Sequence, residues 1–270
     1  FIIATVGISH GSLDNHKGKF ILKKYFPVYW SFIFYVAYLF TSAFVLLAWI
    51  YSPLISICIF FLVASFHFGY EDLEMFFSQK FILETPLYFL RGLIIISAPL
   101  YLNNVETINF IDILLLGEKW INLESATYAY IFYFNLVSIF SLTLLFWIRK
   151  NINLKDFFMI SFEVFSIVVI FKYLPLILAF TIYFCFMHST KHILSLAVEL
   201  NGSNVYAGIK LFAKKAAPLT IITFAMSLIM LFYLSKEFSV DKSILKIIVI
   251  GLAALTLPHI ILEYIYGKYK

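Results

Sequence analysis

The sequence predicts an all-α protein, a polytopic bundle of about nine transmembrane helices. Hydrophobic residues make up 63% of the 270 residues, charged residues make up only 13%, and the mean hydropathy is +0.95. Soluble globular chains are roughly 45 to 50% apolar, so a chain of this composition lacks the polar surface to cover a soluble body. A soluble enzyme, a disordered chain and a disulfide scaffold are therefore excluded.

Nine segments are apolar enough to be considered as spans, since a bilayer core about 30 Å thick needs about 20 apolar residues per helix. They are Phe1–Asp14, Tyr29–Ile50, Leu54–Phe76, Pro86–Leu102, Thr127–Ile148, Phe157–Tyr173, Pro175–Val198, Ala216–Leu234 and Ile244–Tyr266. The first is truncated and starts without an initiator Met, so we expect part of that helix to precede it. No repeat or low-complexity tract interrupts the pattern, and residues 1–270 are predicted to form a single integral membrane domain.

Basic residues indicate the orientation of the bundle. If the N-terminus is outside, the outer loops hold few of them, namely Lys119, Lys172, Lys236 and Lys242. Most other Lys and Arg residues then fall on inner loops and the tail, which predicts an outside N-terminus and a cytoplasmic C-terminus. The net charge of +5 is too small and scattered for a nucleic-acid patch. The longest loop, Asn103–Ala126, has an amphipathic middle at Phe110–Trp120 that is predicted to lie along the outer interface.

Five of the six histidines fall inside predicted spans that run in the same direction. They are His10, His67, His188, His192 and His259. Each lies about five to eleven residues before a charged boundary, which puts all five imidazoles roughly 7 to 16 Å from the inner surface. Ionisable groups that share one depth in a membrane indicate a functional site. The sixth, His16, stands next to Lys17 and is predicted to lie in a solvated loop.

A second His or an acid follows four of these histidines one helical turn later. The pairs are His10 with Asp14, His67 with Glu71, His188 with His192, and His259 with Glu263. Two His at i and i+4 can chelate one metal, and a carboxylate one turn on can accept the second ring N–H. The spacing predicts a metal centre, although interhelical hydrogen bonding and helix ends at the interface are alternatives. Neutral imidazoles suit Fe, Zn, Cu and Ni alike, so the ligand type leaves the metal open.

Four sequence motifs surround these histidines in order along the whole chain. They are GISHGSLD at Gly7–Asp14, SFHFG at Ser65–Gly69 with Asp72, YFCFMHSTKH at Tyr183–His192, and GLAALTLPH at Gly251–His259 with Glu263. Together they resemble the Brp/Blh family of membrane β-carotene 15,15'-dioxygenases. One departure is that the family usually has Pro where this chain has Ser9, which puts the tilt of the His10 helix in question.

The resemblance implies a multi-pass enzyme of the prokaryotic cell (inner) membrane with non-haem Fe(II). Such an enzyme cleaves the central double bond of β-carotene with O2 and gives two molecules of retinal for a microbial rhodopsin. By that likeness the iron ligands would be His10, His67, His188 and His192. The residues expected to support them are His259, Asp14, Glu263 and Glu71.

The aromatic residues, 20% of the chain, suit a tunnel for a long apolar substrate. Its predicted lining is Phe66, Phe68, Tyr183, Phe184 and Phe186. The ten glycines contain no nucleotide-binding fingerprint, which fits an enzyme without a nucleotide cofactor. Two rival functions would use the same histidines, a membrane haem protein that transfers electrons and a transporter of metal ions or protons.

Overall fold

Helices account for all regular structure in the described part of a computed structural model of the protein. The structure describes Ile3 and residues 10–77, 83–121 and 123–269, and no strand occurs among them. This confirms the all-α prediction. A helix satisfies the hydrogen bonds of its own backbone, as an apolar chain in a bilayer requires.

The α-helices follow one another with short connections. They are α1 (Asp14–Leu22), α2 (Trp30–Tyr51), α3 (Pro53–Leu73), α4 (Glu84–Leu102), α5 (Asn104–Leu114), α6 (Ser125–Ile148), α7 (Leu154–Tyr173), α8 (Leu176–Thr181), α9 (Ser189–Leu200), α10 (Val205–Leu234) and α11 (Val240–Tyr269). Short 3-10 helices occur at His10–Leu13 and Glu74–Phe76. A π-helix at Ile182–His188 joins α8 to α9.

Seven helical stretches of the described chain are long and apolar enough to cross a membrane. They are Trp30–Tyr51, Pro53–Phe76, Glu84–Leu102, Ser125–Ile148, Leu176–Leu200, Val205–Leu234 and Val240–Gly267. Each coincides with one of the predicted spans. The largest difference is at α10, which begins at Val205 rather than Ala216, because the Asn204 side chain caps the helix by accepting from the Ala207 N–H at 3.0 Å.

The other two predicted spans have different outcomes. Phe157–Tyr173 is helical within α7, but that helix carries Lys155, Asp156, Glu163 and Lys172, and it is not among the candidate spans. Most of Phe1–Asp14 lies outside the described residues. The span count, the orientation of the termini and the single membrane domain therefore stay predictions.

The predicted interfacial segment Phe110–Trp120 is helical only in its first half. α5 begins directly after α4 and ends at Leu114. The backbone N–H of Trp120 then donates to the Asp112 side chain at 2.9 Å and its indole N–H donates to the Tyr128 hydroxyl at 3.1 Å. These hydrogen bonds hold the second half as an irregular turn, and the position of the segment along the outer interface stays a prediction.

Internal contacts divide the chain into two compact units, which we describe separately. The first comprises Phe1–Ser56, Ile113–Gly117 and Ser189–Lys270. In it α2 packs against α1 and α11, and α9 packs against α10. One buried cluster joins Leu13, Leu196, Phe212 and Ala216, and another joins Ile21, Phe34 and Leu262.

The second unit comprises Ile57–Asp112 and Glu118–His188. In it α4 packs against α6 and α7. Two glycines let α3 and α4 touch backbone to backbone: a Cβ at Gly69 would lie 1.7 Å from the Tyr88 carbonyl oxygen, and one at Gly92 would lie 1.7 Å from the Ser65 carbonyl oxygen. This close crossing fixes the neighbouring turns of both helices.

Candidate metal centre

The in-span histidines with described side chains are all buried. Exposed fractions are 5% for His67, 1% for His188, 7% for His192 and 3% for His259. The backbone of His10 begins the 3-10 helix His10–Leu13, and its side chain lies outside the described residues. Burying an imidazole is unfavourable unless its nitrogens are hydrogen-bonded or bound to a metal. Their partners therefore indicate what each ring does.

In the second unit, His67 of α3 and His188 of the π-helix lie side by side. Their ring centroids are 5.5 Å apart and the rings are nearly perpendicular, at 75°. The Nδ1 of His188 donates to Asp72 Oδ1 at 3.1 Å. A neutral imidazole with its hydrogen on Nδ1 presents its lone pair at Nε2, the atom through which it would bind a metal.

A tyrosine shares the carboxylate that orients His188. The Tyr183 hydroxyl donates to Asp72 Oδ2 at 3.0 Å, and Tyr183 and Asp72 are both almost fully buried. Tyr183 and His188 are five residues apart, a spacing that an α-helix would turn through about 140°. The π-helix, with its i→i+5 repeat, brings both side chains to one carboxylate. Sequence periodicity gave no signal for this change of helix type.

A buried arginine completes this network. Arg91 of α4 is 0% exposed, and its Nη2 lies 3.1 Å from Asp72 Oδ2 and 3.3 Å from Glu163 Oε2 of α7. A guanidinium in an apolar setting is stabilised only when carboxylates neutralise it and accept its hydrogen bonds. Arg91 and Glu163 were not predicted from the sequence, and Asp72 was identified only as part of a motif, without a role. The signal available was an arginine in an otherwise apolar span.

Three of the predicted tunnel residues pack around His188. Phe68 meets its ring edge-on at a centroid distance of 4.8 Å, and Phe184 and Tyr183 stack on it at 5.9 and 6.1 Å. Phe66 and Phe186, which were also expected to line the tunnel, are 39% and 58% exposed. Residues two apart on a helix point to nearly opposite sides, so Phe66 cannot share the buried face of Phe68. The buried cluster around His188 therefore contains three of the five predicted lining residues, and the tunnel itself stays a prediction.

In the first unit, His259 of α11 is held by an acid from another helix. Its Nδ1 lies 2.8 and 3.0 Å from the two carboxylate oxygens of Asp14, at the start of α1. Asp14 also accepts a hydrogen bond from the Tyr38 hydroxyl at 3.0 Å. The His192 and His259 rings are nearly perpendicular, with centroids 5.7 Å apart.

The acids one turn after three of the histidines were expected to accept the second ring N–H, and the structure pairs His259 and His188 with acids from elsewhere in the chain. His259 bonds to Asp14, whereas Glu263 forms an ion pair with Lys17. The carboxylate on His188 belongs to Asp72, the neighbour of the half-buried Glu71. An acid on a facing helix can reach the Nδ1 edge of the imidazole. An acid four residues along the same helix lies beside the imidazole on the same surface instead.

His192, His259 and Glu263 form a group with metal-binding geometry. One ligand atom from each lies within 4.8 Å of the others. His16 is exposed on α1, so it is solvated as predicted but lies on a helix rather than a loop. Buried imidazoles with carboxylates on Nδ1 fit a metal bound through nitrogen, which is the donor set of non-haem iron, zinc or copper sites.

Comparisons with known proteins place the chain in a family. The sequence model of a family described as beta-carotene 15,15'-dioxygenase matches residues 1–266. A curated beta-carotene 15,15'-dioxygenase from uncultured marine bacterium 66A03 is 25% identical over a 280-residue alignment that covers 100% of this chain and 93% of the relative. No solved structure matches the chain.

Proposed function

Because the chain belongs to the beta-carotene 15,15'-dioxygenase family, we propose that it is a membrane oxygenase that cleaves the central double bond of β-carotene with O2. Each half of the substrate receives one oxygen atom, so the products are two molecules of retinal and no external reductant is needed. The observation that carries the proposal is the buried Asp72–His188 pair, in which a carboxylate orients an imidazole for metal binding.

We propose that the metal is Fe(II) and that its ligands are His10, His67, His188 and His192. When bound, ferrous iron would supply the electrons that make O2 reactive toward a carbon–carbon double bond. The donor set fits, since His67, His188 and His192 are buried, and His188 has its second nitrogen fixed.

The chain's own contribution at His188 is to hold the ring in one tautomer and one orientation. Asp72 accepts the Nδ1 hydrogen, and Tyr183 and Arg91 bind the other carboxylate oxygen at 3.0 and 3.1 Å. A carboxylate held from both sides cannot rotate away from the ring. Outer hydrogen bonds of this kind raise the basicity of the ligand and typically contribute 10 to 100-fold to metal affinity.

The aromatic side chains around His188 would position the substrate. Phe68, Tyr183 and Phe184 are at most 5% exposed. A polyene has no polar groups for hydrogen bonding, so stacking on fixed rings and the shape of the wall would decide which double bond lies at the reacting position. These rings also exclude water, which protects a reactive site from side reactions.

The expected cellular location follows from the solubility of the substrate. β-Carotene dissolves in the hydrocarbon core, and seven helices of the described chain are long and apolar enough to lie there. We propose the cell (inner) membrane of a prokaryote as the location, and a microbial rhodopsin as the acceptor of the retinal product.

Expression in cells that accumulate β-carotene tests the proposal. Cells that express the protein should lose their yellow colour, and retinal should appear by chromatography. Cells that express the His188→Ala variant at the same membrane level should remain yellow. Unchanged carotene with the wild-type protein, or cleavage products of other lengths alone, would contradict the proposed reaction.

A further inference from the structure

We infer that His259 is itself a metal ligand, which binds through Nε2. By the family resemblance, His259 is expected only to support the iron ligands, which would be four other histidines. This inference rests on the proposed function, because it concerns the metal of that reaction. It depends on contacts within the first unit only.

The first observation is the hydrogen bond on the ring. Nδ1 of His259 lies 2.8 and 3.0 Å from the two oxygens of Asp14. A carboxylate on one nitrogen of a buried imidazole is the usual arrangement behind a metal-binding histidine. The same arrangement occurs at His188, where the carboxylate is Asp72. With Nδ1 committed to Asp14, Nε2 is the atom that would face a metal.

The second observation is that Asp14, like Asp72, also accepts a hydrogen bond from a tyrosine hydroxyl. It is 4% exposed and accepts a hydrogen bond from the Tyr38 hydroxyl at 3.0 Å. The same hydroxyl contacts the carbonyl oxygen of Leu255 at 3.3 Å, one turn before His259 in α11. Tyr38 thus ties the acid on α1 to the helix that carries the imidazole, and the ring has one orientation.

The third observation is that a second imidazole and an acid converge on the same place. Ligand atoms of His192, His259 and Glu263 lie within 4.8 Å of one another, a separation that a single ion can bridge. Lys17 pairs with the Glu263 carboxylate and offsets its charge. The two imidazoles are therefore the donors best suited to the ion, with Glu263 held beside them.

Metal titration of purified protein tests the inference with a readout besides turnover. Apo-protein would be titrated with Fe(II) under anaerobic conditions, and with Co(II), whose visible absorption reports the number and type of ligands. His259→Ala should weaken Fe(II) binding at least tenfold and change the Co(II) spectrum. Asp14→Asn should weaken binding about 10 to 100-fold. His16→Ala, which removes an exposed histidine from α1, should leave both readouts unchanged.

A His259→Gly variant separates ligation from folding. The space left by the ring should admit free imidazole, and added imidazole should restore Fe(II) affinity and the wild-type Co(II) spectrum. Wild-type affinity and an unchanged Co(II) spectrum in His259→Ala would overturn the inference. If His188→Ala still loses the metal in that case, the proposed function stands although His259 is not a ligand. Absence of Fe(II) binding in the wild-type protein would overturn both.

Discussion

Asp72 accepts a hydrogen bond from the Nδ1 of His188 at 3.1 Å, across 116 residues of sequence. The bond joins α3 to the π-helix and sets the tautomer of a buried imidazole. Arg91 and Tyr183 hold the acid in turn. The network is an argument for metal binding, because a structural histidine does not need a carboxylate that is itself fixed by two buried partners.

Asp72→Asn is expected to lower Fe(II) affinity about 10 to 100-fold, because an amide keeps the shape of the side chain but loses the negative charge that makes His188 more basic. Anaerobic titration of purified protein measures the effect. Glu74→Gln is the control, since it removes the charge of an exposed acid two residues further along the chain. Equal affinities in Asp72→Asn and the wild-type protein would show that the carboxylate does not support a metal ligand.

Arg91→Gln is expected to lower the free energy of unfolding by about 3 to 5 kcal/mol, since it leaves the buried Asp72 and the partly buried Glu163 without their cation. Thermal or denaturant unfolding in detergent measures this loss. The double variant Arg91→Gln with Glu163→Gln should be less destabilised than the sum of the single variants, because the second change removes a charge that the first leaves uncompensated. Strict additivity would place Arg91 and Glu163 in separate environments.

Phe184→Ala is expected to lower retinal formation about 10 to 100-fold and to allow cleavage at neighbouring double bonds, because the polyene would lose part of the wall that positions it. Chromatography of all apocarotenal products measures both effects. Phe186→Ala is the control from the same π-helix, since that side chain is 58% exposed. Similar product patterns in the two variants would mean that the buried rings around His188 do not position the substrate.

Gly69→Ala and Gly92→Ala are expected to destabilise the protein by about 1 to 3 kcal/mol or more, since each new Cβ would force α3 and α4 apart. Gly251→Ala is the matched control in α11, where an added Cβ meets nothing within 4 Å. That substitution should be neutral or slightly stabilising, because alanine is the better helix former. Melting temperatures compare the three variants, and equal effects would exclude the tight crossing.

Helices were predictable from the sequence because their length and apolar content follow directly from the thickness of a bilayer. The predictions failed where local polar groups decide the structure. The predicted span begins at Ala216, because Lys210, Lys214 and Lys215 precede it. The helix α10 itself begins at Val205, where the Asn204 side chain caps it.

The candidate site was predictable in its histidines and not in their partners. Burial of His67, His188, His192 and His259 agrees with the expected intramembrane position. The pairings with Asp72 and Asp14 depend on which helices pack together, and spacing along one helix carries no such information. The shared contact of Tyr183 and His188 with Asp72 could not be predicted either, because α-helical periodicity puts residues five apart on different faces and the segment is a π-helix.

Iron dependence of retinal formation by purified protein is the most direct test of the central claim. Protein stripped with a chelator should form no retinal from β-carotene in air, and added Fe(II) should restore turnover while Zn(II) does not. The reconstituted protein should lack a Soret band, and His188→Ala should stay inactive with Fe(II). Full turnover by the chelated protein, or by His188→Ala, would contradict a reaction that depends on histidine-bound iron.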